Sequence, residues 1–402
     1  LKLRIRSQMD ESPSKKRCCE NDSRDKVSTS ELSNPLRFKE QPYVGLHNPD
    51  NLCFVNVVIQ SLFHVVAFRR LIYALQPNDL ESGDEADVCR HAGGRCVALE
   101  LQKIFRCLER GPADVSADCS ELRDLLDADG ELQNDAAELR QLLLGRLQDE
   151  IVPHSDRLVE FNHFFVGETE ISTGQESTLN APPLREGYMQ VNLSLFDSSG
   201  KCCTCLEESL SAYTASQQCM HMSAVPGVGG ADAVAAEQPL PNGSGLSMRE
   251  VFASFPALLT FSLQRAILDQ QISTSVKLGT RWAFPVRLDV ARLRGSGGLA
   301  GGFFEKLPGG ELWYSLHTVV AHSDSHDEGH YVAYIRPQLE TWHKFDDALV
   351  TPCTEYEATE ALFGDGGAFH PNVSSVTYVR EDLAFPLLRD GMEKREPLKK
   401  KK

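Results

Sequence analysis

The pattern of hydrophobic and polar positions changes about 160 residues along the chain. Before that point apolar residues recur every three or four positions, which is the period of an amphipathic helix. The clearest run is Leu139, Leu142, Leu143 and Leu147. The spacing predicts four helices, over residues 53–71, 94–109, 120–127 and 134–151.

Beyond that point the chain carries short β-branched and aromatic blocks, which are typical of strands. Strands are predicted at 161–170, 187–195, 254–263, 314–322, 329–336, 342–346 and 373–380. Two segments rich in Gly, Pro and Ala, 218–247 and 294–310, interrupt them as surface insertions. A helical half followed by a β half predicts an α+β fold with a cleft between two lobes.

The two ends differ in composition from the centre. Residues 1–40 are rich in Lys, Ser, Glu and Asp, and we predict a disordered lead. Residues 383–402 end in KREPLKKKK and are predicted as a basic tail. The folded domain is therefore expected at 41–382, with its helices at about 51–155 and its strands at about 160–382.

Charge and cysteine usage exclude several classes of protein. The net charge of −16 argues against a nucleic-acid partner, which requires a basic surface. The longest apolar runs, such as 258–263, are too short to span a bilayer, and no secretory signal precedes the domain. Twelve scattered cysteines then indicate reduced thiols. We expect a monomer in the cytoplasm and/or nucleus, without a membrane or nucleic-acid partner.

A hairpin near the C-terminus places a histidine beside a carboxylate. GHYVAYIR (329–336) reads as one strand, 337–341 as a turn and WHKFDD (342–347) as the returning strand. Antiparallel pairing sets Arg336 roughly opposite Trp342, so His330 faces Asp346 or a close neighbour on the same side of the sheet. A histidine oriented by a carboxylate is a general base. The same residues also fit a surface hairpin with solvated side chains.

A cysteine at the start of an amphipathic helix is the second candidate. Cys53 opens the predicted helix, where the positive end of the helix dipole favours a thiolate. A neighbouring imidazolium would complete an attacking ion pair. Asn48 lies in the loop before the helix and could donate to a developing oxyanion. Taken singly, Cys53 also fits a small buried residue, and Asn48 a turn residue beside Pro49.

Four segments resemble the ubiquitin-specific protease family. GLHNPDNLCFVNVVIQSL (45–62) resembles its Cys box, and HTVVAHSDSHDEGHYVAYIRP (317–337) with WHKFDDALVTPC (342–353) resembles its His box. LQNDAAEL (132–139) and FPALLTFSLQR (255–265) are similar to two elements between them. The four segments follow one another in the same order as in the family, and the resemblance covers roughly residues 42–380. The WHKFDD form is most similar to the herpesvirus-associated ubiquitin-specific protease and its relatives.

The resemblance assigns catalytic roles position by position. It implies that Cys53 is the nucleophile, His330 the general base and Asp346 the residue that orients the imidazole. Asp347 matches an adjacent acid that assists or substitutes, and Asn48 matches the oxyanion donor. The implied fold is a papain-like hand of helical thumb, palm and β-fingers that grip ubiquitin.

The resemblance also assigns substrate contacts. Asp135 matches an acid that pairs with an arginine of the ubiquitin tail, and Tyr331, next to the general base, is assigned to substrate binding with it. The implied partners are ubiquitin and ubiquitinated proteins. No cofactor is implied.

Two features depart from the family pattern. Asp50 and Leu52 stand where the family has Gly and Thr, so a negative charge lies near the nucleophile and a permissive Gly is missing. The finger region contains KCCTC (201–205), then Cys219 and His221, but lacks a second C-x-x-C pair. We therefore predict no zinc site.

The sequence thus predicts a cysteine protease that cuts after the C-terminal glycine of ubiquitin through a thioester. Three alternatives stay open. The chain could be a ubiquitin-binding pseudoenzyme disabled by Asp50 and Leu52, or a protease for another ubiquitin-like modifier. A Cys-His-Asp acyltransferase or transglutaminase would share the triad, although neither box suggests it.

Overall fold

The computed structural model describes residues 43–76, 79–80, 96–109, 117–127, 135–173, 184–217, 248–269, 274–290, 312–323, 329–364 and 370–389. Its helices are α1 Cys53–Phe63, α2 Val66–Ala74, α3 Val97–Glu109, α4 Ser120–Leu126, α5 Ala136–Glu150, α6 Asp156–Phe165, α7 Leu206–Gln217, α8 Glu355–Ala358 and α9 Ala384–Leu388. Its strands are β1 Gly167–Thr173, β2 Leu184–Tyr188, β3 Val191–Ser194, β4 Met248–Ser254, β5 Leu258–Gln264, β6 Ala266–Asp269, β7 Thr274–Lys277, β8 Arg287–Asp289, β9 Trp313–Ser323, β10 His330–Ile335, β11 Trp342–Asp346, β12 Leu349–Cys353 and β13 Asn372–Arg380. Helices α1–α6 precede β1, and α7–α9 lie between or after the strands, so the α+β prediction is confirmed.

The first helix is a central element of the core rather than a surface helix. Ten of the eleven residues of α1 are buried. The single helix predicted at 53–71 is wrong, because extended backbone at Val65 ends α1 and α2 leaves at 93°. Apolar residues continue through the bend, since both helices are packed in the interior, so hydrophobic periodicity alone could not locate it.

The helical lobe also extends further than predicted. Residues 156–165 form α6, whereas a strand was predicted from 161. Ser155 caps this helix by accepting a hydrogen bond from the backbone N–H of Leu158 at 3.2 Å. Phe161, Phe164 and Phe165 are buried at helical spacing. The aromatic residues led to the prediction of a strand. The capping serine and the spacing of three and four residues instead indicate the helix that is observed.

One sheet of eight strands carries the hairpin that contains His330 and Asp346. Its main path runs β12-β11-β10-β9-β13-β5-β3, with β8 paired to β9, and the β3–β5 pair is parallel. Helix α1 packs against β10 and β11, which brings its N-terminus beside the start of β10. A buried cluster joins the helices to this side of the sheet, and a second cluster fills the opposite side.

The other five strands of the described residues form two smaller sheets. Strands β2-β1-β4 make a three-stranded sheet, and β6 pairs with β7. The strand predicted at 187–195 is divided between β2 and β3, and helix α7 after KCCTC was not predicted. Leu206 and Leu210 of α7 are buried in the second cluster, so tertiary packing stabilises a helix of weak amphipathic character.

The domain continues past its predicted end at 382. Leu387 and Leu388 of α9 are buried in the cluster that contains the helices, and α9 contacts α2. The first part of the predicted basic tail therefore belongs to the folded domain. The predicted lead at 1–40, both insertions and residues 390–402 lie outside the described residues.

The helices were also compared with the requirements of a bilayer. Among the described residues, no single helix is long and apolar enough to cross a membrane, and the bent α1–α2 pair meets the criteria when its two helices are taken together.

Candidate active site

The predicted nucleophile is held at the junction of a loop and the buried helix α1. Cys53 is the first residue of α1 and is 6% exposed. The backbone N–H of Leu52 donates to Oδ1 of Asn48, which fixes the loop against the helix start. Asn51 adopts the left-handed conformation with φ of 57°, whereas Asp50 does not. The left-handed position in this loop is Asn51, and asparagine tolerates that conformation. Asp50 has no positive φ, so its backbone conformation does not require glycine.

The predicted general base stands between a thiol and a carboxylate. Nε2 of His330 lies 2.7 Å from Oδ1 of Asp346. The hydrogen bond to Asp346 and, after it, the neighbouring Cys53 thiol raise the pKa of His330 to about 10 despite partial burial. Because Nε2 faces Asp346, Nδ1 is the ring nitrogen available to the thiol. Burial raises the pKa of Asp346, but bonds from His330 and Lys344 outweigh it and lower this pKa to about 2.

The hairpin register explains how the histidine meets its carboxylate. Ala333 is opposite Phe345, and Ile335 is opposite His343. The same register places Arg336 opposite Trp342, as predicted, and Val332 opposite Asp346. His330 is two residues before Val332, so it lies diagonal to Asp346 on the same face of the sheet. The predicted shared face is thus present, with a diagonal rather than a direct pair.

Asp347 holds two asparagine amides while its charge also raises the pKa of His330, and its expected role as an assisting acid stays a prediction. Its Oδ2 accepts from Nδ2 of Asn48 at 2.8 Å, and its Oδ1 accepts from Nδ2 of Asn56 at 2.8 Å. Asp347 has a φ of 50°, which turns the residue out of the strand. Its carbonyl accepts from the backbone N–H of Leu46, so the loop before α1 is bound to this turn. Asp347 therefore fixes the amide of Asn48.

A glycine allows the turn and the loop to approach so closely. A Cβ on Gly45 would lie 2.4 Å from the carbonyl carbon of Ala348, far inside van der Waals contact. Glycine is required there by close backbone approach.

The two predicted substrate-binding residues contact each other. The hydroxyl of Tyr331 donates to Oδ2 of Asp135 at 3.3 Å. Oδ1 of Asp135 accepts from the backbone N–H groups of Ala137 and Glu138, so this side chain caps helix α5. Tyr331 is buried, and burial raises the pKa of its phenol. The pair connects the start of α5 to the strand that carries His330.

Sequence reasoning missed two polar residues of the site. Lys344 lies 2.9 Å from Oδ2 of Asp346. Asn56, which is 2% exposed, holds Asp347 from helix α1. Spacing could have revealed both, because Lys344 is two residues before Asp346 on a strand and Asn56 is three residues after Cys53 on a helix.

The site contains a group of side chains with metal-ligand chemistry. The ligand atoms of His330, Asp346 and Asp347 lie within 4.8 Å of one another, as in no other group found in the described part of the chain. Hydrogen bonds from His330 and Lys344 already occupy the oxygens of Asp346, and two asparagine amides occupy those of Asp347. A cation would displace these donors, so the arrangement suits acid–base chemistry.

The cysteines of KCCTC (201–205) do not test the prediction that the chain has no zinc site. Cys203 is buried, while Cys202 and Cys205 are partly exposed. Cys219 and His221 lie outside the described residues. The expectation of no zinc stays a prediction.

Comparison with known proteins agrees with this geometry. The family described as ubiquitin carboxyl-terminal hydrolase matches residues 44–375. Ubiquitin C-terminal hydrolase 12 of Arabidopsis thaliana is 27% identical over 342 residues, covering 81% of this chain. Ubiquitin carboxyl-terminal hydrolase 7 of Drosophila melanogaster is 25% identical over 366 residues, covering 88%. The chain spans only 27% and 29% of the lengths of these two relatives.

A solved structure shows the same fold. A chain in a structure of the yeast SAGA DUBm superposes with a TM-score of 0.55 at 18% identity, covering 84% of this chain and 68% of that one. The papain-like fold predicted from the motifs is confirmed, as is the ubiquitin-specific protease family. The match over 44–375 takes in Cys53, His330 and Asp346. The chain belongs to the ubiquitin carboxyl-terminal hydrolase family.

Proposed function

We propose that the chain is a deubiquitinating cysteine protease that hydrolyses the peptide or isopeptide bond after the C-terminal glycine of ubiquitin. The observation that carries the proposal is the imidazole of His330, which lies 2.7 Å from the Asp346 carboxylate and whose pKa is also raised by the neighbouring Cys53 thiol. A base between a thiol and an orienting acid is the arrangement of nucleophilic cysteine catalysis. Membership of the ubiquitin carboxyl-terminal hydrolase family supports ubiquitin as the modifier.

The geometry supports a thioester mechanism. Nδ1 of His330 takes the thiol proton, and the thiolate attacks the glycine carbonyl. The amide of Asn48 uses one N–H on Asp347 and has a second N–H for the oxyanion. The imidazolium then protonates the leaving amine, and water hydrolyses the thioester.

Substrate selection is proposed to depend on the Asp135–Tyr331 pair. The capped end of α5 and the strand of His330 meet at this hydrogen bond, so a peptide that reaches Cys53 would pass beside it. The Asp135 carboxylate would complement an arginine of the ubiquitin tail. The acidic balance of the chain would favour a basic ubiquitin face.

Finer assignments are proposed on the sequence alone. The WHKFDD segment favours the herpesvirus-associated subgroup. Reduced cysteines favour the cytoplasm and/or nucleus. We expect a monomer whose partners are ubiquitin and ubiquitinated proteins, without nucleic acid, membrane or cofactor.

The decisive test is incubation with ubiquitin that carries a C-terminal electrophile, followed by intact-mass measurement. We expect an adduct of one ubiquitin that is absent from Cys53→Ala. Ubiquitin binding without an adduct would indicate a pseudoenzyme instead. If neither binding nor an adduct is seen, the same probe built on other ubiquitin-like modifiers would identify a different substrate.

A further inference from the structure

Lys344 is the second partner of the catalytic carboxylate. Oδ1 of Asp346 faces Nε2 of His330 at 2.7 Å, while Oδ2 faces Nζ of Lys344 at 2.9 Å. The two oxygens therefore serve two different cations. Lys344 and Asp346 are separated by one residue on β11, so their side chains project from the same face of the sheet.

The position of the lysine stem is constrained from both sides. In the register of the sheet Lys344 is opposite Tyr334 of β10 and opposite Thr351 of β12. Directly opposite side chains lie within about 5.5 Å of each other at Cβ. The Lys344 side chain is only 37% exposed although it is long. The two neighbouring strands thus guide it toward Asp346.

A nearby acid does not compete for the ammonium. Glu357 lies close enough to be influenced by the charge of Lys344. Its Oε2 already accepts from the backbone N–H and the hydroxyl of Thr354, both at 2.7 Å. Asp346 is consequently the carboxylate that holds the lysine.

The contact between Lys344 and Asp346 affects the orientation of the carboxylate more than the stability of the fold. Partly exposed ion pairs contribute little to the free energy of unfolding. The terminal torsion of an aspartate is broad and roughly two-fold, so a carboxylate held by one oxygen can rotate. Fixing Oδ2 fixes the plane of the carboxylate and therefore the direction from which Oδ1 meets the imidazole.

We propose that Lys344 is a positioning residue for catalysis, which acts through Asp346 to keep the His330 ring aligned with Cys53. The proposal rests on the proposed thiol chemistry, but not on ubiquitin as the modifier. It makes Lys344 a determinant of the rate of the chemical step and not of substrate affinity.

The first test measures the reactivity of Cys53 toward iodoacetamide at neutral pH by intact mass and peptide mapping. Lys344→Met should slow alkylation of Cys53 roughly tenfold, because a misplaced imidazole supports less thiolate. Lys344→Arg, which keeps the charge and the reach, should restore most of the rate. Lys103→Met removes an ion pair to Glu100 on α3 and serves as the matched control, with an unchanged rate.

The second test separates positioning from general damage. In an Asp346→Ala background the Lys344→Met change should have no further effect, since its target is missing. With the ubiquitin electrophile, the same variant should lower the maximal rate of adduct formation about tenfold and leave the half-saturating concentration unchanged.

Several results would overturn the inference. One is alkylation of Cys53 in Lys344→Met at the rate of the unmodified chain. Another is a loss of alkylation rate on Lys344→Met that is as large in the Asp346→Ala background as in the unmodified chain. A third is a Lys344→Arg variant that reacts as slowly as Lys344→Met. Should Lys344→Met fail to fold, Lys344→Gln, which keeps a polar side chain, replaces it under the same criteria. Failure of the unmodified chain to react with ubiquitin, while Lys344→Met still slows alkylation, would reject the proposed substrate and not this role.

Discussion

Two adjacent carboxylates, Asp346 and Asp347, serve different parts of the site. Asp346 ends strand β11 and holds His330, the proposed general base, whereas Asp347 turns back with a φ of 50° and holds two asparagine amides. Asparagine and aspartate tolerate this left-handed conformation better than most residues, which accounts for an acid at the turn. One carboxylate orients the base, and the other orients the proposed oxyanion donor.

Loss of the second acid should reduce the rate of catalysis. Asp347→Asn keeps the backbone preference but turns an NH₂ group toward Asn48 or Asn56, so the Asn48 amide loses its fixed direction. We expect kcat for a fluorogenic ubiquitin substrate to fall about 10²-fold, as for the loss of an oxyanion donor, with little change in KM. The Asn48→Ala/Asp347→Asn double variant should be no slower than Asn48→Ala. Additive losses would contradict the coupling.

Asp346 should set the upper pH limit of activity. Asp346 raises the pKa of His330 above its ordinary 6.5, so the active imidazolium persists to high pH. Asp346→Asn removes that charge, the pKa falls toward 6.5, and the alkaline limb of the kcat/KM profile should move to lower pH. Asp124→Asn, an exposed change on α4, is the control. An unmoved alkaline limb would contradict the role of Asp346.

At the scale of elements, the side chains of the site lie at the ends of helices and strands. Cys53 begins α1, Asp135 caps α5, His330 begins β10 and Asp346 ends β11. The ends of elements leave backbone donors and side chains free for chemistry, while the middles of the same elements form the core. The packing of α1 on β10 and β11 is what brings these ends together.

Asp135 should show separable structural and substrate roles. Asp135→Asn keeps an N-cap of similar strength, so the free energy of unfolding should be nearly unchanged while KM for ubiquitin rises through loss of the charge. Asp135→Ala should cost about 1 kcal/mol of stability in addition. Urea unfolding and steady-state kinetics measure the two effects. Ser155→Ala, which removes the cap of α6, should lower stability without changing KM, and an equal KM effect would argue against a local role.

At the scale of the whole molecule, buried histidines connect the helices to the sheet. His64 is the C-cap residue of α1, and His317 lies in β9; the two residues are 6% and 0% exposed. Burial lowers the pKa of His317 to about 3, with a further contribution from Arg336. Burial also lowers the pKa of His64, helped by His317, Arg69 and His343. Both rings are therefore neutral in the folded protein at neutral pH.

The neutral histidines predict a loss of stability in mild acid. Below pH 6.5 the unfolded chain binds protons that the folded His64 and His317 do not, so the free energy of unfolding falls as pH falls toward 3. Each group contributes up to about 1.4 kcal/mol per pH unit. His330 does not oppose this, because its raised pKa leaves it protonated in both states there.

The measurement is urea unfolding between pH 6.5 and pH 4.5. Relative to the unmodified chain, His317→Gln should have a shallower dependence of the unfolding free energy on pH, whatever its absolute stability. His163→Gln on α6, at an exposed position, should keep the original slope. An unchanged slope in His317→Gln would show that the buried ring does not govern acid stability.

Much of this organisation could be predicted from local pattern. Strand β11 was predicted with its observed bounds, and helix α5 to within two residues at its start, because each has a strong period and clear ends. The bend at Val65 and helix α7 were not predictable in the same way. Both are stabilised by contacts with distant residues, and those contacts leave no local period.

The sequence by itself determined which residue types could supply a nucleophile, a base and an acid, and the family resemblance assigned these proposed roles to Cys53, His330 and Asp346. It also determined the shared face of His330 and Asp346, since strand alternation is a local property. Only the tertiary structure decided that Asp347 binds Asn48 and Asn56, 299 and 291 residues away. It likewise decided that Lys344 takes the second oxygen of Asp346. Which of several polar neighbours a carboxylate selects depends on distances, and distances are fixed only once the helices pack on the sheet.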